Sequence, residues 1–391
     1  MQQTRGLVVA VALATLLTGT STAQARGEVE LKAGAEATST LGSGVRCGDT
    51  ITQHTKLTRD LACPGTNGPA LRVVGVGIVL DLGGYTVSRT GPEMGESEGI
   101  VVDANSMVRN GTIRGFRWGV LVDGAATAIR LHRLALVDNG TAIYHRIGNA
   151  RLLITDSRLS GNGDGLSSEF ATAFGEYDIR STHFTGNGRA IFVDAHDTDV
   201  LDSTFTSNGT VVYCFYGSVR FRSSTIAQNT AVGTMPFDTA GFLSCGEMRI
   251  EDTLIANNTS FAPPTAPVWE PYSLVLRNSW VVNNGSGLRG AARTVFIEGN
   301  TFWDNAGGLT LADLPEVVPV PLTGIVRDNR FLRNDGDGLR VLPPSMPTLI
   351  GNVALGNTGW GIHAPTANDG GGNVARDNGA GDCVGVVCAD Y

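Results

Sequence analysis

One feature governs what this chain can fold into: a unit of 21 to 29 residues recurs along it twelve times. Its anchor is an asparagine, usually followed by Gly or Thr, at Asn139, Asn162, Asn187, Asn208, Asn229, Asn258, Asn284, Asn305, Asn334, Asn357 and Asn378, with Phe116 in the first slot. Three places before the anchor every unit is apolar, from Ile113, Leu136 and Leu159 through Phe184, Phe205, Phe302 and Phe331 to Ala354 and Ala375. Five places before it, from the third unit on, stands a small hydrogen-bonding side chain: Ser157, Thr182, Ser203, Ser224, Thr253, Ser279, Asn300, Asn329, Asn352 and Asn373. Four places after it Val120, Ile143, Leu166, Ile191 and Val212 are apolar again.

Each unit holds short alternating segments and Gly/Asn turns, with no helical period. Stacking such units places like on like: apolar columns merge into a core, and Ser/Thr/Asn columns become hydrogen-bonded ladders at the turns. The expectation is an all-β chain, a right-handed single-stranded parallel β-helix of about twelve or more coils. A leucine-rich repeat shares the unit length but requires a fixed Leu lattice that these units lack.

Residues 1–25 read as a secretory signal peptide: Arg5, then an apolar run from Leu7 to Leu17 too short to span a bilayer, then the small-x-small site Ala23-Gln24-Ala25. In an exported chain six cysteines favour disulfides over metal. Fifteen pairings are open to them, and the expectation is the local one: Cys47 with Cys63, Cys214 with Cys245, Cys383 with Cys388. The boundaries follow: signal peptide 1–25, flexible segment 26–45, disulfide-closed cap 46–70, β-helix 71–382 and disulfide-closed end 383–391. The longer units place proline-bearing loops at 230–242, 259–272 and 310–323. No later stretch reaches membrane-spanning length. A net charge of −8 gives no electrostatic reason to bind nucleic acid or an anionic membrane. Lysines stand only at positions 32 and 56, which excludes a lysine-dependent mechanism.

Alternation predicts that positions five and seven after each anchor point outward. The seventh reads Asp123, Arg146, Glu169, Asp194, Phe215, and the fifth Leu121, Tyr144, Ser167, Phe192, Tyr213. One outer face is therefore expected to carry a row of charges beside Tyr144, Phe192, Tyr213 and Phe215. Charges flanked by rings suit a sugar polymer, although a simple solvated face fits the same charges. Glu169 and Asp194, in adjacent coils, would also supply the two carboxylates of a glycoside hydrolase. Asp164, Asp335 and Asp337 sit in Gly/Asn turns and read as turn residues. Calcium has no clear motif behind it, and no metal-ligand spacing appears among the histidines.

Leu80-Asp-Leu-Gly-Gly84, Val108-Arg-Asn-Gly-Thr-Ile113 and the Asn-Gly-x-Gly/Ala-Ile/Leu turns resemble exported β-helix repeat proteins of the pectate-lyase-like superfamily. That group includes pectate lyases, polygalacturonases, mannuronan C5-epimerases and NosD-like accessory proteins. Within it, Asp194-Ala195-His196-Asp197 is similar to the Asp-Pro-His-Asp/Glu motif of the epimerases, with Ala195 in place of the Pro and Ile191 in place of a family Tyr. The resemblance implies abstraction of the proton next to a uronate carboxyl, with Asp194 the motif acid and His196 base or acid. Arg146 would be the carboxylate partner, and Tyr144 or Tyr213 the proton donor, with no cofactor. Beside that enzyme stand two further readings. One is a non-catalytic module binding a polysaccharide or cell-envelope glycan on the same face. The other is a NosD-like accessory or structural protein.

Overall fold

The computed structural model describes residues 40–389, apart from 42–43, 65–67, 92–96, 125–127, 171, 195, 215–216, 232–242, 261–267, 270–272, 286–287 and 314–319. The expected signal peptide, most of the segment 26–45 and most of the three proline-bearing loops fall outside these residues.

The described chain is built from short strands, and every strand pairing is parallel. A typical coil carries three of them. A three-residue strand such as His183–Thr185 precedes the anchor and belongs to what we call the short ladder. A five-residue strand such as Arg189–Val193 follows it in the front ladder. His196–Leu201 then runs in the back ladder before the next coil begins. Each pairs in register with its counterpart one coil on, as in Phe184↔Phe205, Ile191↔Val212 and Val200↔Phe221. The front ladder forms nine strands from Asp49–Ile51 to Leu243–Ser244, then six from Val268–Trp269 to Gly381–Val384. The molecule is a right-handed parallel β-helix of about twelve turns.

The columns behave as the repeat requires. Ile113, Leu136, Leu159, Phe184, Phe205, Phe302 and Phe331 are all fully buried, with Phe184 stacked on Phe205 and Phe302 on Phe331. The anchors form a continuous ladder. Asn187 Nδ2 donates to Asn208 Oδ1 at 2.9 Å, Asn208 to Asn229 and Asn229 to Asn258 at 3.0 Å, and the series runs from Asn139 to Asn378. Phe116 enters it through its backbone N–H, which donates to Asn139 Oδ1. The Ser/Thr/Asn column forms a second ladder: Thr182 N–H donates to Ser203 Oγ, and Ser203 N–H to Ser224 Oγ. Immediately before a member of each ladder the chain turns a tight corner at positive φ, as at Asp202 (49°) before Ser203 and Ser207 (57°) before Asn208. That conformation is cheapest for Gly, Asn and Asp, which dominate these corners.

The three local disulfides form: Cys47–Cys63, Cys214–Cys245 and Cys383–Cys388, with Cα atoms 5.6, 4.6 and 6.2 Å apart. The expected boundaries at 70 and 382 are not breaks. Residues 49–51 pair with 71–73, and 381–384 with 360–363, so the disulfide-bearing ends are themselves coils. The same stacking that builds the rod thus carries through both ends.

Candidate functional site

The front-ladder strands Trp118–Val122, Thr141–His145, Asp164–Ser168, Arg189–Val193 and Thr210–Cys214 all stop six residues after their anchor. The row read as outward-facing strand residues is therefore the first corner residue of each coil. A corner sets side-chain direction by its own dihedrals, and the members of the row diverge. Arg146 pairs with Asp123 in the preceding coil. Glu169 is exposed and accepts a hydrogen bond from the Tyr144 hydroxyl. Asp194 turns away from solvent, 5% exposed, its backbone N–H donating to Ser168 Oγ at 3.0 Å.

On the outer surface the structure brings rings together. Trp118 stacks on Tyr144, with centroids 5.1 Å apart and planes 9° from parallel. Phe192 stacks on Tyr213 in the next coil at 5.6 Å and 15°. Arg189 lies 3.7 Å over Phe192 while its Nε and Nη2 clamp both oxygens of Asp164, at 2.6 and 2.8 Å. Burial, and then the hydrogen bond and charge of Glu169, hold the Tyr144 phenol above its ordinary pKa. It is a proton donor in every neutral or mildly alkaline solution. Leu121 of the same outward column is fully covered and packs with Val101 and Trp118.

His196 corrects the sequence reading most sharply. It opens the back-ladder strand, where alternation restarts, and points inward, fully buried. There it stacks on Tyr177 with centroids 4.3 Å apart. The Tyr177 hydroxyl lies 2.9 Å from His145 Nδ1 and 3.2 Å from His196 Nε2. His196 Nδ1 sits 3.3 Å from the Gly175 carbonyl, which only accepts, so Nδ1 carries the proton and Nε2 accepts a hydrogen bond from the Tyr177 hydroxyl. Tyr177 oxygen then accepts from His145 Nδ1, and His145 Nε2 is left without a partner. Burial, joined at His145 by the neighbouring His196, lowers both imidazoles to about 4. The Tyr177 phenol is raised well above its usual range, again by burial. This cluster is a neutral plug inside the rod. Neither Asp194 nor His196 meets a ligand outside, so the epimerase-like assignment of acid and base to this pair does not hold, and Glu169 with Asp194 is not an exposed carboxylate pair.

Other expectations resolve simply. Phe215 lies outside the described residues. Asp164 opens a front-ladder strand instead of lying in a turn and is held by Arg189, whereas Asp335 accepts from Thr358 Oγ1 and Asp337 from the Trp360 N–H, as turn residues do. Among the described residues no group of three or more His, Cys, Asp or Glu side chains is placed to hold a metal ion. Two residues of the outer surface went unread in the sequence, Trp118 and Arg189, both two places after their anchors. Alternation counted back from the inward fourth place turns that column inward, so the sequence pattern does not mark them.

Residues 189–379 match the family model described as the right handed beta helix region. No curated protein sequence matches the chain. Among solved structures it is similar to the A-module of the mannuronan C-5 epimerase AlgE6 from Azotobacter vinelandii, at 15% identity and a TM-score of 0.42, covering 88% of this chain and 91% of that one. It is also similar to the Dettilon tailspike protein (15%, TM-score 0.29, 85% and 60% covered) and to the pectate lyase Pel9A (15%, TM-score 0.25, 86% and 72% covered). Coil, ladders and family model together define the class, a right-handed parallel β-helix protein.

Proposed function

We propose that this is an exported polysaccharide-binding β-helix module that holds a glycan chain along the outer face of its front ladder. The observation that carries this reading is the run of stacked rings there, Trp118 on Tyr144 and Phe192 on Tyr213. The half-buried rings of Tyr144, Phe192 and Tyr213, the first backed by the buried Trp118, offer the apolar faces of a sugar polymer a preformed surface. At about 4.8 Å per strand, Tyr144 and Phe192, two coils apart, lie about 10 Å from one another along the rod axis, so that one extended polymer can meet both stacks. Export is supported by the three disulfides. The resemblance to glycan-acting β-helix proteins agrees with the substrate class.

The test is retention of the purified protein in gels containing alginate, polygalacturonate, xylan or a soluble glucan, with product formation followed in parallel. The expected result is retention by one polymer, lost in the double variant Phe192→Ala, Tyr213→Ala, with no product. Equal retention of the double variant and the parent, or no retention by any polymer, overturns it.

A second reading has one observation in its favour: the exposed Glu169 carboxylate and the Tyr144 phenol share a hydrogen bond beside Arg146. A base, a proton donor and a cation are the parts that uronate proton abstraction needs. Unsaturated or epimerised product that disappears in both Glu169→Gln and Tyr144→Phe would establish that reading instead.

A further inference from the structure

Away from the front ladder, the outer face of the short ladder carries a groove of about 540 Å³. Its strands are Trp280–Val282, Thr301–Trp303 and Arg330–Leu332. Trp280 pairs with Thr301 and Val282 with Trp303, so the two tryptophans stand on adjacent strands, diagonal to one another. Trp280 is 45% exposed, a large apolar surface for a side chain with no stacked ring among the described residues. Trp303 is held from one side by Arg333, whose guanidinium lies 5.6 Å over the ring and is clamped to both oxygens of Asp304. The groove also contains Asp328 and Arg330, whose side chains make no hydrogen bond or ion pair among the described residues. On the back ladder, by contrast, Arg220, Arg222 and Arg327 are each paired with a carboxylate.

We infer that this groove is a second binding site, for a neutral glycan, separate from the front-ladder face. Two indole rings in a cleft of this size suit the apolar faces of pyranose rings. An uncommitted carboxylate accepts from sugar hydroxyls and an uncommitted guanidinium donates to them. One negative and one positive group give the groove no bias toward a polyanion, so the complement is an uncharged sugar.

The probes are cellohexaose, mannohexaose, laminarihexaose and, as the charged comparison, hexagalacturonate. Each is titrated into the full protein with tryptophan fluorescence and calorimetry as readouts. Saturable binding of a neutral hexasaccharide is expected, weakened about tenfold or more in Trp280→Ala and in Asp328→Asn. Both positions are at the surface, and Asn suits the positive φ of 56° at position 328, so the variants should unfold at the parent temperature. The same binding should persist in the front-ladder double variant, which separates the failure of this site from the failure of the other. The inference is overturned if no neutral hexasaccharide binds, if hexagalacturonate binds more tightly than all of them, or if Trp280→Ala leaves affinity unchanged. A fall in solution mass on Trp280→Ala also overturns it, since the groove would then be an interface between copies of this chain.

Discussion

His196 stacks on Tyr177 inside the rod, rings 21° from parallel, and its Nε2 accepts a hydrogen bond from the hydroxyl of that same tyrosine. Both it and His145 are neutral in the folded protein at neutral pH, with pKa values near 4 against an ordinary 6.5. The unfolded chain therefore binds more protons than the native one between those values. Stability is fully present above about pH 7, declines as pH falls through 6.5, and levels off near 4. By linkage the loss amounts to about 3 kcal/mol per histidine. Urea unfolding across that range measures it. His196→Phe, which keeps a stacking ring and cannot charge, should flatten the decline; an equally steep decline in that variant speaks against the interior placement. His196→Ala should lower the unfolding temperature, as expected of a packed residue.

Asn208 is 1% exposed and its side chain makes four bonds: Oδ1 accepts from the Asn187 N–H and Nδ2, and Nδ2 donates to Phe184 O and Asn229 Oδ1. Asn208→Ala strands donors and acceptors on both neighbouring coils and should cost about 2–4 kcal/mol. Asn208→Asp keeps the shape but cannot donate, turning a carboxylate toward two acceptor oxygens, and should be at least as damaging near neutral pH. Asn378, at the more exposed end of the ladder, should tolerate alanine better. Equal losses at both positions would mean that the ladder is not a buried network.

The fold was legible because stacking turns each structural requirement into a column. Phe184 and Phe205 must both be apolar for either to be buried, and Asn187 needs Asn208 to accept from it. The candidate face was only partly legible. Tyr144, Phe192 and Tyr213 fall on strands, where alternation fixes their direction. Asp194 and His196 flank a corner, where it does not, and counting through that corner put an interior histidine outside. Trp280 and Trp303 belong to no single column of the repeat, so nothing in the periodicity marks them; the diagonal pairing of adjacent short strands brings them together.

Gln228 holds φ of +56° immediately before anchor Asn229, in a column otherwise rich in Gly, Asp and Asn. A β-carbon there crowds the following carbonyl by about 1 kcal/mol, and glycine avoids this at a smaller entropic cost in the unfolded chain. Gln228→Gly should raise stability by about 0.5 kcal/mol, and Gln228→Val should lower it by about 1 kcal/mol or more. Chemical denaturation of the two variants decides it, and a glycine variant less stable than the parent would refute the left-handed corner.

The charges on the front-ladder face are largely spent within the protein. Arg146 is committed to Asp123 and Arg189 to Asp164, and among the described residues no cation is paired with Glu169. A polyanion would have to displace carboxylates already seated on those arginines, whereas a sugar face need only cover the rings of Phe192 and Tyr213. Glycan retention should therefore change by less than about twofold when salt is raised to roughly 1 M, where charges are screened beyond about 3 Å. Phe192→Ala should weaken it about tenfold. Glu169→Gln supplies the opposite control. If the held polymer is a uronate, removing that negative charge should tighten binding and salt should release it; if it is neutral, both changes should be small while the ring truncation stays large.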